Sequence, residues 1–377
     1  MVEKLHKTLC HSIHADLELV LEKNEWFASP CCYANYKPKI DPLKENWFEE
    51  LFTDLRQNNL NGSLDKKICT LCIDEERLGK QSMRQGELVK RGNSLPTPVK
   101  GPRKIQFKLS RTCNNACLIC SPVDSSLWYR YAEDSSRYKT RTFPTEKKID
   151  DILQNLDLSE LTNLQFRGGE PFIDQWHLVT IEKMLSQKNV DPSKIDLQYW
   201  TNGTRASAEV YSIWKKFKNV FVYFSVDDIE QAFEYQRWPA EWKELEANVR
   251  YCFENSSENV TQRFERTINI LNLHRLGEFN KWHVKNFSSN KYNRHCKVNT
   301  HFATRTLLDT HNLSDAHKQW LTNVDDKYSR IYINHVLKSH TKQLDSNKKI
   351  LYWVQSQERK RNNSVDSFFP EFRSLYQ

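Results

Sequence analysis

The sequence predicts an α/β fold: a partial (β/α)6 TIM-like barrel with a small N-terminal Cys-rich α+β subdomain and a helical C-terminal extension. Three observations predict it. Strand-like and helical runs alternate from residue 104 to about 303, the pattern of βαβ units around a parallel sheet. A stretch holding Gly86, Gly92, Pro96, Pro98, Gly101 and Pro102 precedes them and reads as a linker. Cys10, Cys31, Cys32, Cys69 and Cys72 all lie before that linker. The expected domains are therefore 1–90, 101–303 and 304–377.

The elements follow in order. Residues 1–30 read as a helix or hairpin around Leu17-Glu-Leu-Val-Leu21. Between Pro42 and Leu55, the side chains Trp47, Phe48, Leu51, Phe52 and Leu55 recur on one helical face, and Gly62 is placed to cap that helix. Strands are expected at 104–109, 162–167, 195–200, 219–226, 266–272 and 297–303. Helices are expected between them at 145–156, 173–187, 206–217, 240–251 and 275–283, the first opened by Pro144-Thr145-Glu146. From about 313 the chain reads as polar helix with intermittent apolar faces at Trp320, Ile331, Ile333, Val336 and Leu337. The aromatic segment Phe368–Tyr376 should dock somewhere.

Composition sets the bounds. The 377 residues are 38% apolar and 28% charged, with 11 Trp and 19 Phe, which is a globular composition with large interiors or clefts. No apolar run reaches the roughly eighteen residues of a membrane helix. Met1–Lys7 lacks the basic start and apolar core of a secretory signal. Ten cysteines without such a signal point to a reducing, cytoplasmic setting, where clustered thiols read as metal or redox sites. The net charge of +8 is modest for this length, and basic runs such as Arg359-Lys-Arg361 come with no nucleic-acid-binding motif.

The chemistry-bearing stretch is Arg111–Pro122, where Cys113, Cys117 and Cys120 stand in a C-x3-C-x2-C spacing after the first barrel strand. A zinc site usually adds a second C-x2-C knuckle, and none follows at the usual distance. Three thiolates match three corners of an iron–sulfur cube, leaving the fourth iron without a protein ligand. The next strand ends carry Gly168-Gly169-Glu170-Pro171, Thr201-Asn202-Gly203 and Ser225-Val226-Asp227. Each alone reads as a turn or a helix cap. Together they bear special residues at consecutive strand ends, where ligands of parallel α/β sheets gather.

These residues resemble the radical S-adenosylmethionine (radical SAM) superfamily over roughly 101–303. The spacing of Cys113, Cys117 and Cys120 is similar to its signature, and Gly168–Pro171 resembles its methionine-binding motif. The resemblance implies a [4Fe–4S] cluster on the three cysteines, with S-adenosylmethionine on its open iron. Cleavage would yield a 5′-deoxyadenosyl radical that abstracts a substrate hydrogen. It further implies Gly168, Gly169, Glu170 and Pro171 near the methionine, Asn202, Ser225 and Asp227 toward ribose or substrate, and a flavodoxin or ferredoxin as electron donor. The residue before the third cysteine, often aromatic in this family, is Ile119 here.

The segments 234–242 and 267–272 resemble members with a twitch subdomain. The N-terminal cysteines resemble a twitch or SPASM auxiliary-cluster region, placed before the barrel instead of after it. On that resemblance a second [4Fe–4S] cluster would use Cys10, Cys31 or Cys32, Cys69 and Cys72. Many such relatives act on peptides and others on sugars or nucleosides, and an oxidation or peptide modification is the reaction the resemblance favours. The alternative reading is a zinc-binding, non-catalytic protein with a nucleic-acid or protein interaction role. Cys252 reads as a buried thiol, and Cys296 either as another or as a residue near the cleft.

Overall fold

A computed structural model describes residues 8–77, 81–92, 99–131, 144–205, 208–303, 306–338 and 345–377. It is an α/β protein with an eight-stranded, mostly parallel sheet, in the order β2-β1-β3-β4-β5-β6-β7-β8. The strands are β1 (Asp16–Glu22), β2 (Glu25–Ser29), β3 (Lys104–Lys108), β4 (Asn163–Arg167), β5 (Asp196–Thr201), β6 (Asn219–Ser225), β7 (Val260–Ile268) and β8 (Val298–Phe302). From β3 to β8 the order in the sheet is the order in the chain, as in a partial barrel. Five of the six expected barrel strands are present within one or two residues, while the one expected at 266–272 shares only 266–268 with β7. β7 starts earlier than expected and ends at Ile268 because Asn269 and Asn272 close the chain into a turn. Asn272 Oδ1 accepts from the Asn269 amide, and Asn269 Oδ1 from the Leu271 amide, both at 2.8 Å.

The N-terminal segment is the main departure. It begins with α1 (His11–Ala15) and continues into the β1/β2 hairpin, whose turn residues Lys23 and Asn24 have φ of 50° and 64°. β1 pairs in parallel with β3, Asp16 opposite Lys104 through Val20 opposite Lys108. The hairpin strands of this segment are therefore built into the sheet. The compact units divide elsewhere: one is 1–111, 140–199 and 213–220, the other 112–139, 200–212 and 221–377. The amphipathic helix expected after Pro42 is interrupted. Phe52 adopts a φ of 63°, separating α2 (Trp47–Glu50) from α3 (Thr53–Leu60), and Gly62 follows at a φ of 76°. After α4 (Thr70–Arg77), much of the expected linker is α5 (Met83–Arg91), started by a reciprocal Ser82/Gln85 capping box and stopped at Gly92. Pro96 and Pro98 lie outside the described residues.

In the first unit, Leu17, Leu19, Ile105, Phe107, Leu164, Phe166, Leu197 and Tyr199 form a buried face of the sheet. Two amphipathic helices, α6 (Glu146–Gln154) and α7 (Trp176–Leu185), bury Ile149, Ile152, Leu153, Ile181 and Met184. Stacked rings run through this layer, Phe107 on Phe166 at 5.8 Å and Phe166 on Tyr199 at 5.4 Å. The β1–β3 junction holds the buried carboxylate of Asp16, 2.8 Å from Arg91 and 3.0 Å from Lys104. Burial pushes its pKa up, but the two cations outweigh burial and hold it below the ordinary carboxylate range. The outer edge of β2 is covered by residues 38–40: Ala28 N–H donates to the Pro38 carbonyl at 3.0 Å, and Ile40 N–H to the Trp26 carbonyl at 2.9 Å.

The second unit contains α8 (Ala208–Trp214) in part, α9 (Glu230–Gln236), α10 (Trp242–Asn255), α11 (Leu276–Phe287) and the C-terminal helices α12 (Asp315–Leu321), α13 (Lys327–Lys338), α14 (Asn347–Arg361) and α15 (Phe372–Leu375). The C-terminal helices share one apolar core with the barrel segment. Ile333, Val336, Ile350, Val354, Phe369, Phe372 and Tyr376 pack with Ile268, Leu271, Tyr235 and Leu118. The aromatic tail thus docks, with Phe369 5.1 Å from Trp320 and the Tyr376 hydroxyl 3.1 Å from His317 Nδ1.

Burial pushes His177 and His317 down to about 3 and His283 to about 4. The unfolded chain protonates these imidazoles below about pH 6.5 while the folded chain keeps them neutral. Their contribution is complete above pH 6.5 and is lost as pH falls toward 3–4. By pH 5 each removes about 2 kcal/mol. The urea midpoint should therefore drop steeply between pH 7 and pH 5, and His317→Asn should flatten that slope. A midpoint indifferent to pH over this range would contradict the assignment.

Candidate functional site

The cysteine loop is fastened from several sides within the second unit. Ala116 N–H donates to the Trp238 carbonyl at 2.7 Å and Leu118 N–H to the Gln236 carbonyl at 2.8 Å, so the loop lies along the chain leaving α9. A 3₁₀ turn at Ser126–Arg130 places Trp128, whose indole N–H donates to the Cys117 carbonyl at 2.9 Å. The turn from Cys117 to Cys120 brings their thiols into hydrogen-bond contact. That contact pulls the Cys117 pKa down, helped by Arg237, and pushes that of Cys120 up, with burial adding to the rise. Leu118 is buried and Ile119 packs against the C-terminal apolar core.

Hydrogen-bond donors converge on the sulfurs. Asn202 Nδ2 lies 3.8 Å from Cys113 Sγ and 2.8 Å from Asn114 Oδ1, while its Oδ1 accepts from the Thr204 amide and hydroxyl. The Asn115 amide donates to Cys113 Sγ at 3.4 Å. Arg237 Nη1 lies 3.8 Å from Cys117 Sγ. Its Nε and Nη2 are both 2.8 Å from Asp227 Oδ2, and Asp227 Oδ1 accepts from the Thr267 amide at 2.9 Å. Asp227 is thus a buried anchor for Arg237. Ser225 sits half-buried at the end of β6.

In the first unit, β4 ends in Gly168 and Gly169, with φ of 87° and 52°. A Cβ on Gly168 would stand 2.3 Å from Lys108 Cγ, so this backbone requires glycine. Glu170 is buried and its Oε1 accepts from the Phe172 amide at 3.0 Å, bracing the turn, with Pro171 buried beside it.

The model of the Radical SAM superfamily matches residues 107–275. These residues form a radical SAM domain. Among solved structures, the chain is similar to native anSMEcpe with bound AdoMet and Cp18Cys peptide, at 14% identity and a TM-score of 0.39, with 61% of each chain covered. It is also similar to Streptococcus suis SuiB bound to precursor peptide SuiA, at 12% identity and a TM-score of 0.38, covering 97% of this chain and 74% of that one. No curated protein matches the chain in sequence.

The donor set of the radical SAM domain fits the cluster that its family implies. Three thiols share one loop, an amide and a guanidinium point at two of the sulfurs, and a second guanidinium, Arg361, lies buried with no hydrogen-bond partner among the described residues. Sequence reasoning missed Arg237, Arg361, Trp128 and Trp238. The available signal was the dense Tyr-Gln-Arg-Trp-Pro run at 235–239, which marked a likeness without assigning its residues.

The N-terminal cysteines also gather, within the first unit. Cys10, Cys31, Cys69 and Cys72 line one cavity with Tyr33, Met83 and Arg84. Cys32 is directed instead at Met83, Sγ to Sδ 3.9 Å. Among the described residues no group of three or more His, Cys, Asp or Glu is set to hold a single metal ion, so the four thiols share a cavity without closing on one point. Burial pushes Cys10 up to about 11 and Cys69 to about 12, with neighbouring thiols adding to the shift. Cys252 and Cys296 are both buried.

Removing the Asp227 carboxylate should leave the Arg237 cation buried and unpaired. Asp227→Ala is expected to cost about 3–5 kcal/mol by chemical denaturation. Asp227→Ala combined with Arg237→Met should recover much of that loss, and a double variant as unstable as the single one would refute the pairing.

Proposed function

We propose that this chain is a radical SAM enzyme acting on a substrate yet to be identified, with an auxiliary iron–sulfur site in its N-terminal segment. The observation that carries the reading is the thiol loop of the radical SAM domain, with Asn202 and Arg237 aimed at Cys113 and Cys117. When bound, a [4Fe–4S] cluster and S-adenosylmethionine supply one-electron cleavage of the sulfonium to a 5′-deoxyadenosyl radical that abstracts a substrate hydrogen.

The chain's own residues then have distinct tasks. Cys113, Cys117 and Cys120 would ligate three irons. Asn202 and Arg237 orient two of those sulfurs and offset their charge. The bare backbone at Gly168 and Gly169 permits close approach of the methionine amine, and Glu170 keeps that turn rigid. Ser225 is assigned to ribose or substrate. Asp227, already bound by Arg237 and Thr267, acts by positioning. Cys10, Cys31, Cys69 and Cys72 would hold the auxiliary cluster, with Cys32 outside the ligand set. Electrons would come from a flavodoxin- or ferredoxin-type donor. Peptides are the first substrate class to test, with oxidation or another peptide modification as the outcome.

Anaerobically purified and reconstituted protein should be brown, contain iron and sulfide, and form 5′-deoxyadenosine from S-adenosylmethionine when given a strong reductant. Cys117→Ala should abolish product formation, a drop of at least about 10³-fold. A colourless protein containing zinc and no iron would overturn the reading in favour of a non-catalytic binding protein. Deuterium passing from a labelled candidate peptide into 5′-deoxyadenosine would identify the substrate class.

A further inference from the structure

Arg361, the last residue of α14, is 5% exposed, yet its Nε, Nη1 and Nη2 have no hydrogen-bond partner among the described residues. A buried, unpaired guanidinium is strongly unfavourable. Two indole rings flank this one, with its central carbon 4.9 Å from the Trp128 ring and 5.9 Å from that of Trp238. Cation–π contact offsets only part of the burial. The chain nevertheless fixes the cation firmly: Asn362 turns away at a φ of 51°, and Lys360 Nζ donates to the Tyr131 carbonyl at 3.0 Å.

Both rings are tied to the cysteine loop, Trp128 through the Cys117 carbonyl and Trp238 through the Ala116 amide. Among the described residues, the groups that interact electrostatically with Arg361 are Cys117, Tyr235 and Tyr131, and none of these is a carboxylate. The other cation at this loop, Arg237, is already matched by Asp227. Among the described residues Arg361 is therefore an uncompensated positive charge beside the thiol loop, and it comes from the C-terminal extension, outside the segment 107–275 that matches the family.

We infer that Arg361 is a built-in counter-charge for the cluster on Cys113, Cys117 and Cys120, and that the C-terminal extension thereby raises the reduction potential of that cluster. This rests on the function proposed above. Adding an electron makes the cluster more negative, so a fixed nearby cation favours the reduced form and its loss favours the oxidised form. Arg361 acts here as a positioning and tuning residue and takes part in no bond change.

The test is a redox titration of the reconstituted full-length protein, followed by the EPR signal that changes on adding S-adenosylmethionine. Arg361→Met replaces the cation with an apolar chain suited to the indole sandwich, so folding should be retained, with an unfolding midpoint at or above the native one. At a fixed solution potential its oxidised-to-reduced ratio should rise about tenfold, a midpoint lower by about 59 mV for one electron. Arg361→Lys should stay near the native midpoint, as should Arg359→Gln on the exposed face of the same helix. A folded Arg361→Met protein with native iron content and an unshifted midpoint would overturn the inference. So would an Arg361→Lys midpoint as low as that of Arg361→Met. Native protein that takes up no iron would instead overturn the function on which the inference rests.

Discussion

The ion pair between Arg237 and Asp227 organises the second unit. Asp227 stands just beyond β6, accepts from the Thr267 amide of β7 and takes two nitrogens of Arg237, whose third nitrogen faces Cys117. One carboxylate thereby fixes the relation between two strand ends, the exit of α9 and the thiol loop. Charges this buried contribute little net stability when paired, but they tolerate very few alternative geometries. Their value here is positional. The backbone bonds from Ala116 and Leu118 to the α9 exit make the same connection without charge, so the loop is held twice.

Legibility in the sequence followed the range of the interactions. Most barrel strands were readable as short apolar runs between helical stretches, which is a local signal, whereas β7 was placed late because its buried positions include the polar Gln262 and Arg266. The thiol spacing and the paired glycines were readable because only a few residue types tolerate those tasks. The place of β1 was not readable, since its parallel partner β3 is distant in sequence and any apolar run can join a sheet edge. α5 was mistaken for linker because Gly86 and Gly92 suggested turns. The Ser82/Gln85 capping box and the ion pairs of Arg91 with Asp16 and Glu87 outweigh a glycine in the helix.

Arg237 and Arg361 illustrate a further limit. An arginine in a polar segment reads as solvated surface, and nothing local distinguishes one that is buried against an indole or a thiol. The C-terminal extension likewise read as a cap of uncertain purpose. Its apolar side chains share a core with Leu118 and border Ile119, so the extension and the thiol loop are parts of one packed body. Ile119, which departs from the aromatic residue common at this position, is accounted for by that packing.

The hairpin that extends the sheet has a consequence for recognition. An open β edge is a template on which an extended peptide can add itself as one more strand. Here the edge of β2 is already occupied by its own chain, through Ala28 to Pro38 and Ile40 to Trp26. A peptide arriving at this protein therefore finds no vacant strand position there. An extended segment could join the sheet on this side only by first displacing residues 38–40 from β2.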